Sequence, residues 1–265
     1  MVTDRKCRTA THGASRIRQG EVLSRFRLES LTRKIQRRKG SPVDKLHVAS
    51  ACLSRQYGDP RHHNKSDPLD ELIFIILSAK TVEASYLRTY DALKNAFGDW
   101  FCILDAPRGS VADIISSGGL SEKKEVQIRA LLNDIEERTG AKGLNMLSRM
   151  STKEAEEFLT SLPGVGLKTA RCVLMYSLDR DVFPVDTHVR RVLSRLGIIR
   201  FERLSDKVQN SIQERVPSEL RYKLHVNLVA HGRAICRARK PRCNSCVLSN
   251  ICTYYDNRLC STAAR

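Results

Sequence analysis

Four cysteines near the C-terminus constrain this chain more than any other feature. They are Cys236, Cys243, Cys246 and Cys252, in the run CRARKPRCNSCVLSNIC, with six, two and five residues between them. Four thiolates this close together can wrap one metal centre, filled by an iron–sulfur cluster or a zinc ion. The first loop of the run carries Arg237, Arg239, Lys240 and Arg242. A metal-stapled loop loaded with cations can hold positive charge rigidly against a phosphate backbone. The alternative is buried structural cysteines, or disulfides in a secreted protein. Tight spacing and the lack of a visible secretory segment weigh against it.

The charge balance points to the same kind of partner. The 265 residues include 46 Lys and Arg against 29 Asp and Glu, a net +17. An excess of that size implies a polyanion, nucleic acid more often than an anionic membrane surface. Residues 1–40 hold twelve of the cations and three of the acids, and the remainder is still basic. Residues 1–40 therefore read as a basic, disordered tail, and 256–265 as a second short tail. A transit peptide, a DNA-tethering arm or a mis-assigned start fits the first equally well. The apolar run at residues 72–77 is far too short to span a membrane, and no signal-peptide core is visible. The chain is expected inside the cell, associated with DNA and not with membrane. That means cytoplasm or nucleoid in a bacterium, nucleus or mitochondrion in a eukaryote. In a reducing compartment, Cys7, Cys52, Cys102, Cys172 and Cys260 read as core or surface thiols.

With hydrophobic residues at 41%, a sizeable core is available. Apolar residues recur at helical spacing, which predicts helices over 44–57, 69–79, 83–97, 111–116, 123–138, 152–161, 167–178, 187–196, 205–216 and 222–235. Pro60 and Pro68 break the first two apart, Gly118 and Gly119 turn the chain, and Ser151 with Glu154 forms a capping pattern. With no convincing strand and no repeat, the fold class is all-α. Residues 69–182 form one domain. Residues 41–68 plus 183–255 form a second, with a cleft between the two.

Two further motifs carry chemistry. Leu162-Pro163-Gly164-Val165-Gly166 makes a tight hairpin between helices. Its glycines allow close backbone approach, and free N–H groups opening the second helix can face a phosphate. Lys168 sits in that helix's first turn, where the dipole and a desolvating cleft would both favour the neutral, nucleophilic amine. Asp186, in Val185-Asp186-Thr187-His188, opens the next helix at or near its N-cap. Opposite Lys168 it could stabilise an oxocarbenium-like sugar. A plain helical corner, a solvated lysine and a capping aspartate are the ordinary alternatives.

The three motifs LPGVGLKTA, FPVDTHVRRV and C-x6-C-x2-C-x5-C, in that order, resemble the endonuclease III branch of the helix-hairpin-helix DNA glycosylases. The resemblance covers about residues 41–255. It implies that family's two-domain architecture, with a [4Fe-4S] cluster on the four cysteines. It implies a bifunctional glycosylase and AP lyase, with Lys168 as nucleophile and Asp186 as the catalytic aspartate. The partner would be double-stranded DNA containing a damaged base, by family default an oxidised pyrimidine, or an abasic site. The enzyme would act as a monomer. A base must leave the stack to react. Lys80 and Leu120 fall where the family inserts residues into the duplex, Leu120 as an apolar wedge on a turn. A buried core leucine and a solvated lysine are the alternatives.

The sequence also departs from the pattern. Lys80 stands where the family usually has glutamine, which both donates and accepts. Thr160 stands where it often has glutamate. The adenine glycosylase branch usually lacks the lysine and carries a catalytic glutamate in the helix that here reads LIFIILSAK. No acid lies within 72–77, and Glu71 is the nearest. Glycosylases that remove thymine from mispairs or methylated cytosine, a non-catalytic DNA-binding module and a zinc-stapled adaptor are the remaining readings.

Overall fold

A computed structural model of the chain describes residues 40–58, 64–200 and 202–257, with positions 27, 29, 30 and 32 also helical. The readings of 1–39 as a tail, of Pro60 as a breaker, of 258–265, and of Cys7 and Cys260 fall outside the described residues, those four positions apart. Among the described residues every regular element is a helix, and the all-α expectation holds.

Local chemistry sets the helix ends. Helix α1 (Pro42–Tyr57) starts with a capping box between Ser41 and Asp44, with proline in its first turn. Asp67 caps α2 (Pro68–Ser78), accepting from the Leu69 and Asp70 N–H groups. Helix α3 (Glu83–Phe97) follows, then the short α4 (Cys102–Asp105) and α5 (Ser110–Ile114), then α6 (Ser121–Thr139). The capping box expected at Ser151 and Glu154 is present and opens α7 (Thr152–Ser161). Helices α8 (Leu167–Ser177), α9 (Thr187–Arg195), α10 (Asp206–Arg215) and α11 (Arg221–Ala234) complete the set. The single-turn α4 and the 3-10 turns at Ser116–Gly118 and Asn145–Arg149 are not predicted by the sequence pattern. A single turn offers too few residues for a 3.6-residue period to register.

Two hydrophobic cores form. The first lies wholly within residues 69–182 and centres on α2. This helix is buried from Pro68 to Leu77 except at Asp70, so it has almost no solvent face. The burial encloses one acid, Glu71. Phe74 of α2 meets Tyr86 and Tyr90 of α3 edge-on, each pair of ring centroids 5.2 Å apart. The second core joins Leu46, Val48, Ala49 and Leu53 of α1 to residues 183–252. Its ties span most of the chain. Lys45 Nζ donates to the Leu196 carbonyl at 2.8 Å, and the Tyr57 hydroxyl meets His231 Nδ1 at 3.0 Å. Arg171, only 2% exposed, links the cores by pairing with Glu156 at 2.8 Å and bonding Asn210.

Candidate active site and nucleic-acid interface

The turn between α7 and α8 is built by its glycines. Gly164 has φ +72°, and the Val165 N–H donates to the Leu162 carbonyl at 3.1 Å. Gln127 donates to the Gly164 carbonyl at 3.0 Å and packs under the turn. Leu162 and Val165 turn their side chains into the first core. What this segment offers outward is therefore backbone, at the exposed Gly164 and Gly166. Gly166 is the N-cap of α8 and supplies no side-chain capping bond. The first N–H groups of α8 therefore lack a side-chain acceptor, which suits an anion.

Lys168 lies in that first turn, and its ammonium is within electrostatic reach of Cys172, Asp186 and Glu71. Helices α2 and α8 and the start of α9 thus converge on one lysine. Asp186 is the N-cap of α9, accepting the Val189 N–H at 2.7 Å. The expected neutral amine is not what this surrounding favours. Burial pulls the Lys168 pKa down, but Cys172, Asp186 and Glu71 outweigh it and leave it above the ordinary value. Desolvation is weaker here than three anionic or ionisable neighbours.

Glu71 is fully buried. Its carboxylate accepts from Asn64 Nδ2 at 2.6 Å and from the Lys65 N–H at 2.7 Å. Burial nevertheless dominates and pushes its pKa up to about 7. Burial also raises the Cys172 thiol to about 11. Sequence reasoning notes Glu71 only as the nearest acid and gives Cys172 no role. The one signal for Cys172 is its place one helical turn after Lys168.

Lys80 and Leu120 are both exposed, and both have positive φ, +54° and +56°. Leu120 is 47% exposed, so the buried-leucine alternative is excluded. Left-handed backbone at a non-glycine residue is strained and marks positions worth a functional reading.

The four C-terminal cysteines are free thiols. Cys236, Cys243, Cys246 and Cys252 line one small pocket. Arg195 donates to Cys236 Sγ at 3.2 Å and to the Arg237 and Ala238 carbonyls, so it holds the loop from beneath. His231 Nε2 lies 3.4 Å from Cys246 Sγ. Arg237, Arg239, Lys240 and Arg242 are all exposed. Among the described residues, no three His, Cys, Asp or Glu converge as ligands of a single metal ion do.

Comparison with known proteins adds an independent line. A family model described as HhH-GPD superfamily base excision DNA repair protein matches residues 73–218. An Arabidopsis thaliana protein described as a candidate DNA glycosylase is 35% identical over 172 residues, 65% of this chain. The match spans only 59% of that plant relative's length. Endonuclease III of Sulfolobus acidocaldarius is 32% identical over 189 residues, covering 70% of this chain and 82% of that protein. A solved non-covalent endonuclease III–DNA complex superposes with a TM-score of 0.69 at 26% identity, over 81% of this chain and 98% of its own. The chain therefore belongs to the HhH-GPD superfamily of base excision DNA repair proteins, in its endonuclease III family.

Proposed function

We propose that this protein is a DNA glycosylase with AP lyase activity that removes damaged, chiefly oxidised, pyrimidines from duplex DNA. The observation that carries the reading is the convergence of Asp186, Glu71 and Cys172 on Lys168 at the mouth of an uncapped hairpin helix.

Backbone N–H groups at Gly166 and the first turn of α8 would grip a phosphate, and Leu120 would fill the gap left by the extruded nucleotide. Lys168 must first lose its proton, and Asp186 and Glu71 are the carboxylates at hand. Its Nζ lone pair then attacks C1′. The C1′–N bond breaks, and its electrons leave with the base, which takes up a proton. Once Nζ loses its second proton, its lone pair forms the C=N bond as the C1′–O4′ bond breaks; O4′ takes up a proton and a protonated imine remains. Removal of a C2′ proton then breaks the C3′–O bond, and the 3′ phosphate departs with that electron pair. Asp186, its carboxylate held by the Val189 N–H, stabilises the positive charge on the sugar as the base leaves.

Cys236, Cys243, Cys246 and Cys252 would hold a [4Fe-4S] cluster. Four free thiols lining one pocket fit a thiolate-held centre, and the resemblance of their spacing to the endonuclease III pattern favours the cluster over zinc. When bound, the cluster staples the cationic loop.

The test is borohydride trapping on duplexes carrying thymine glycol or a plain abasic site. A covalent adduct on both is expected, and Lys168→Gln should abolish it while leaving duplex binding intact. An adduct that persists in Lys168→Gln refutes the nucleophile. An adduct on the abasic duplex alone refutes the oxidised-pyrimidine assignment and keeps the lyase.

A further inference from the structure

Lys124, on the first turn of α6, plays no part in the chemistry above, yet it is only 4% exposed. Its ammonium donates to the Leu77 carbonyl at 2.7 Å, to Thr81 Oγ1 at 2.7 Å and to the Gly118 carbonyl at 3.2 Å. An ammonium has three N–H donors, and all three are used.

The acceptors are informative. Leu77 lies in the last turn of α2, and Gly118 ends the 3-10 helix Ser116–Gly118. Both carbonyls sit at the negative end of a helix, where the last oxygens lack intrahelical partners and a cation is favoured. Thr81 joins the two ends directly, because its hydroxyl donates to the Gly118 carbonyl at 2.6 Å. Immediately beyond these anchors come the strained positions. Lys80 lies between Leu77 and Thr81, and Gly119 and Leu120 follow Gly118, with φ of +54°, +68° and +56°.

We infer that Lys124 is a positioning residue that binds these two turns, from distant parts of the chain, into one rigid element that enters a distorted duplex as a unit. The inference rests on the proposed function, since it gives the two turns their target. A buried cation with every donor committed to two helix ends and their bridging threonine fixes the separation of the turns before DNA arrives. The left-handed backbone at Lys80 and Leu120 is then held in place and needs no reordering on binding.

The probe is a duplex with a tetrahydrofuran abasic analogue and a neighbouring 2-aminopurine, whose fluorescence rises on unstacking. Wild type, Lys124→Met, Thr81→Val, Leu120→Ala and the Lys124→Met/Leu120→Ala double variant are compared at saturating protein. Thermal melts establish that each is folded. In Lys124→Met the fluorescence gain should fall roughly tenfold, with no further loss in the double variant, as expected for residues acting through one another. Thr81→Val should fall between Lys124→Met and wild type, and in these two variants affinity for undamaged duplex should stay unchanged. A wild-type gain in Lys124→Met, or losses that multiply in the double variant, overturns the inference. If Lys124→Met does not fold, a wild-type gain in Thr81→Val overturns it instead. If wild type itself gives no gain, the proposed function falls and takes this inference with it. A normal wild type beside unaffected variants removes only the role of Lys124.

Discussion

At Glu71 two short hydrogen bonds favour the carboxylate while complete burial opposes it, and burial wins, with a pKa of about 7. A carboxyl whose folded pKa lies above its ordinary 4.5 destabilises the folded state as pH rises. The cost is absent below pH 4.5, grows between there and about 7, and is complete above. Glu71→Gln should therefore stabilise the protein by about 3 kcal/mol above pH 8 and by almost nothing near pH 4, read from urea unfolding at both pH values. The glutamine amide can still accept from the Lys65 N–H. Its NH₂ can reach Asn64 Oδ1, a buried oxygen without a partner, once the Asn64 amide turns. The same change removes an anion beside Lys168. Trapping rises with pH as Lys168 loses its proton, and that rising limb should then move to lower pH; an unmoved limb would separate Glu71 from Lys168. The positions of Lys168 after a Gly-rich turn and Asp186 before a helix are legible in the sequence, because turn and capping chemistry is local. The environment of Lys168 is not, since it is assembled from residues about a hundred positions apart. For that reason the direction of its pKa is opposite to the one the dipole alone suggests.

Helices are the most readable level. Their caps are short-range devices, and α3 has the very bounds its apolar spacing predicts, Glu83–Phe97. The unread pieces are single turns, where no period can build. The hairpin shows how far a local pattern reaches. LPGVG signals a turn, but not that Gln127 from α6 packs beneath Gly164. A Cβ at Gly164 would lie 2.6 Å from Gln127 Nε2 on a backbone with φ +72°. Gly164→Ala should cost about 1–3 kcal/mol in urea unfolding. It should also weaken duplex binding while leaving the slope of affinity against salt nearly unchanged, because no cation is lost. An unaltered unfolding midpoint would show that Gln127 and the turn yield freely.

At the scale of the whole molecule, four exposed cations and four thiols share the C-terminal loop. Replacing Arg237, Arg239, Lys240 and Arg242 together by glutamine should reduce the slope of log K against log salt by about 3 to 4 for duplex DNA. A slope that does not change would mean that the loop faces away from the phosphates. The excess of cations is visible in composition, but their common exposure follows only from how Arg195 and the cysteine pocket fold the loop.

The closure of α1 against residues 183–252 also sets a timetable for synthesis. The first core is complete once residue 182 has emerged, whereas α1, made earlier, still lacks every partner for Leu46, Val48, Ala49 and Leu53. At ribosomal speeds this apolar stripe waits roughly 10 to 40 s for Cys252. During that interval the nascent chain carries a finished core tethered to an unsatisfied helix, which makes α1 the natural place for a chaperone to hold.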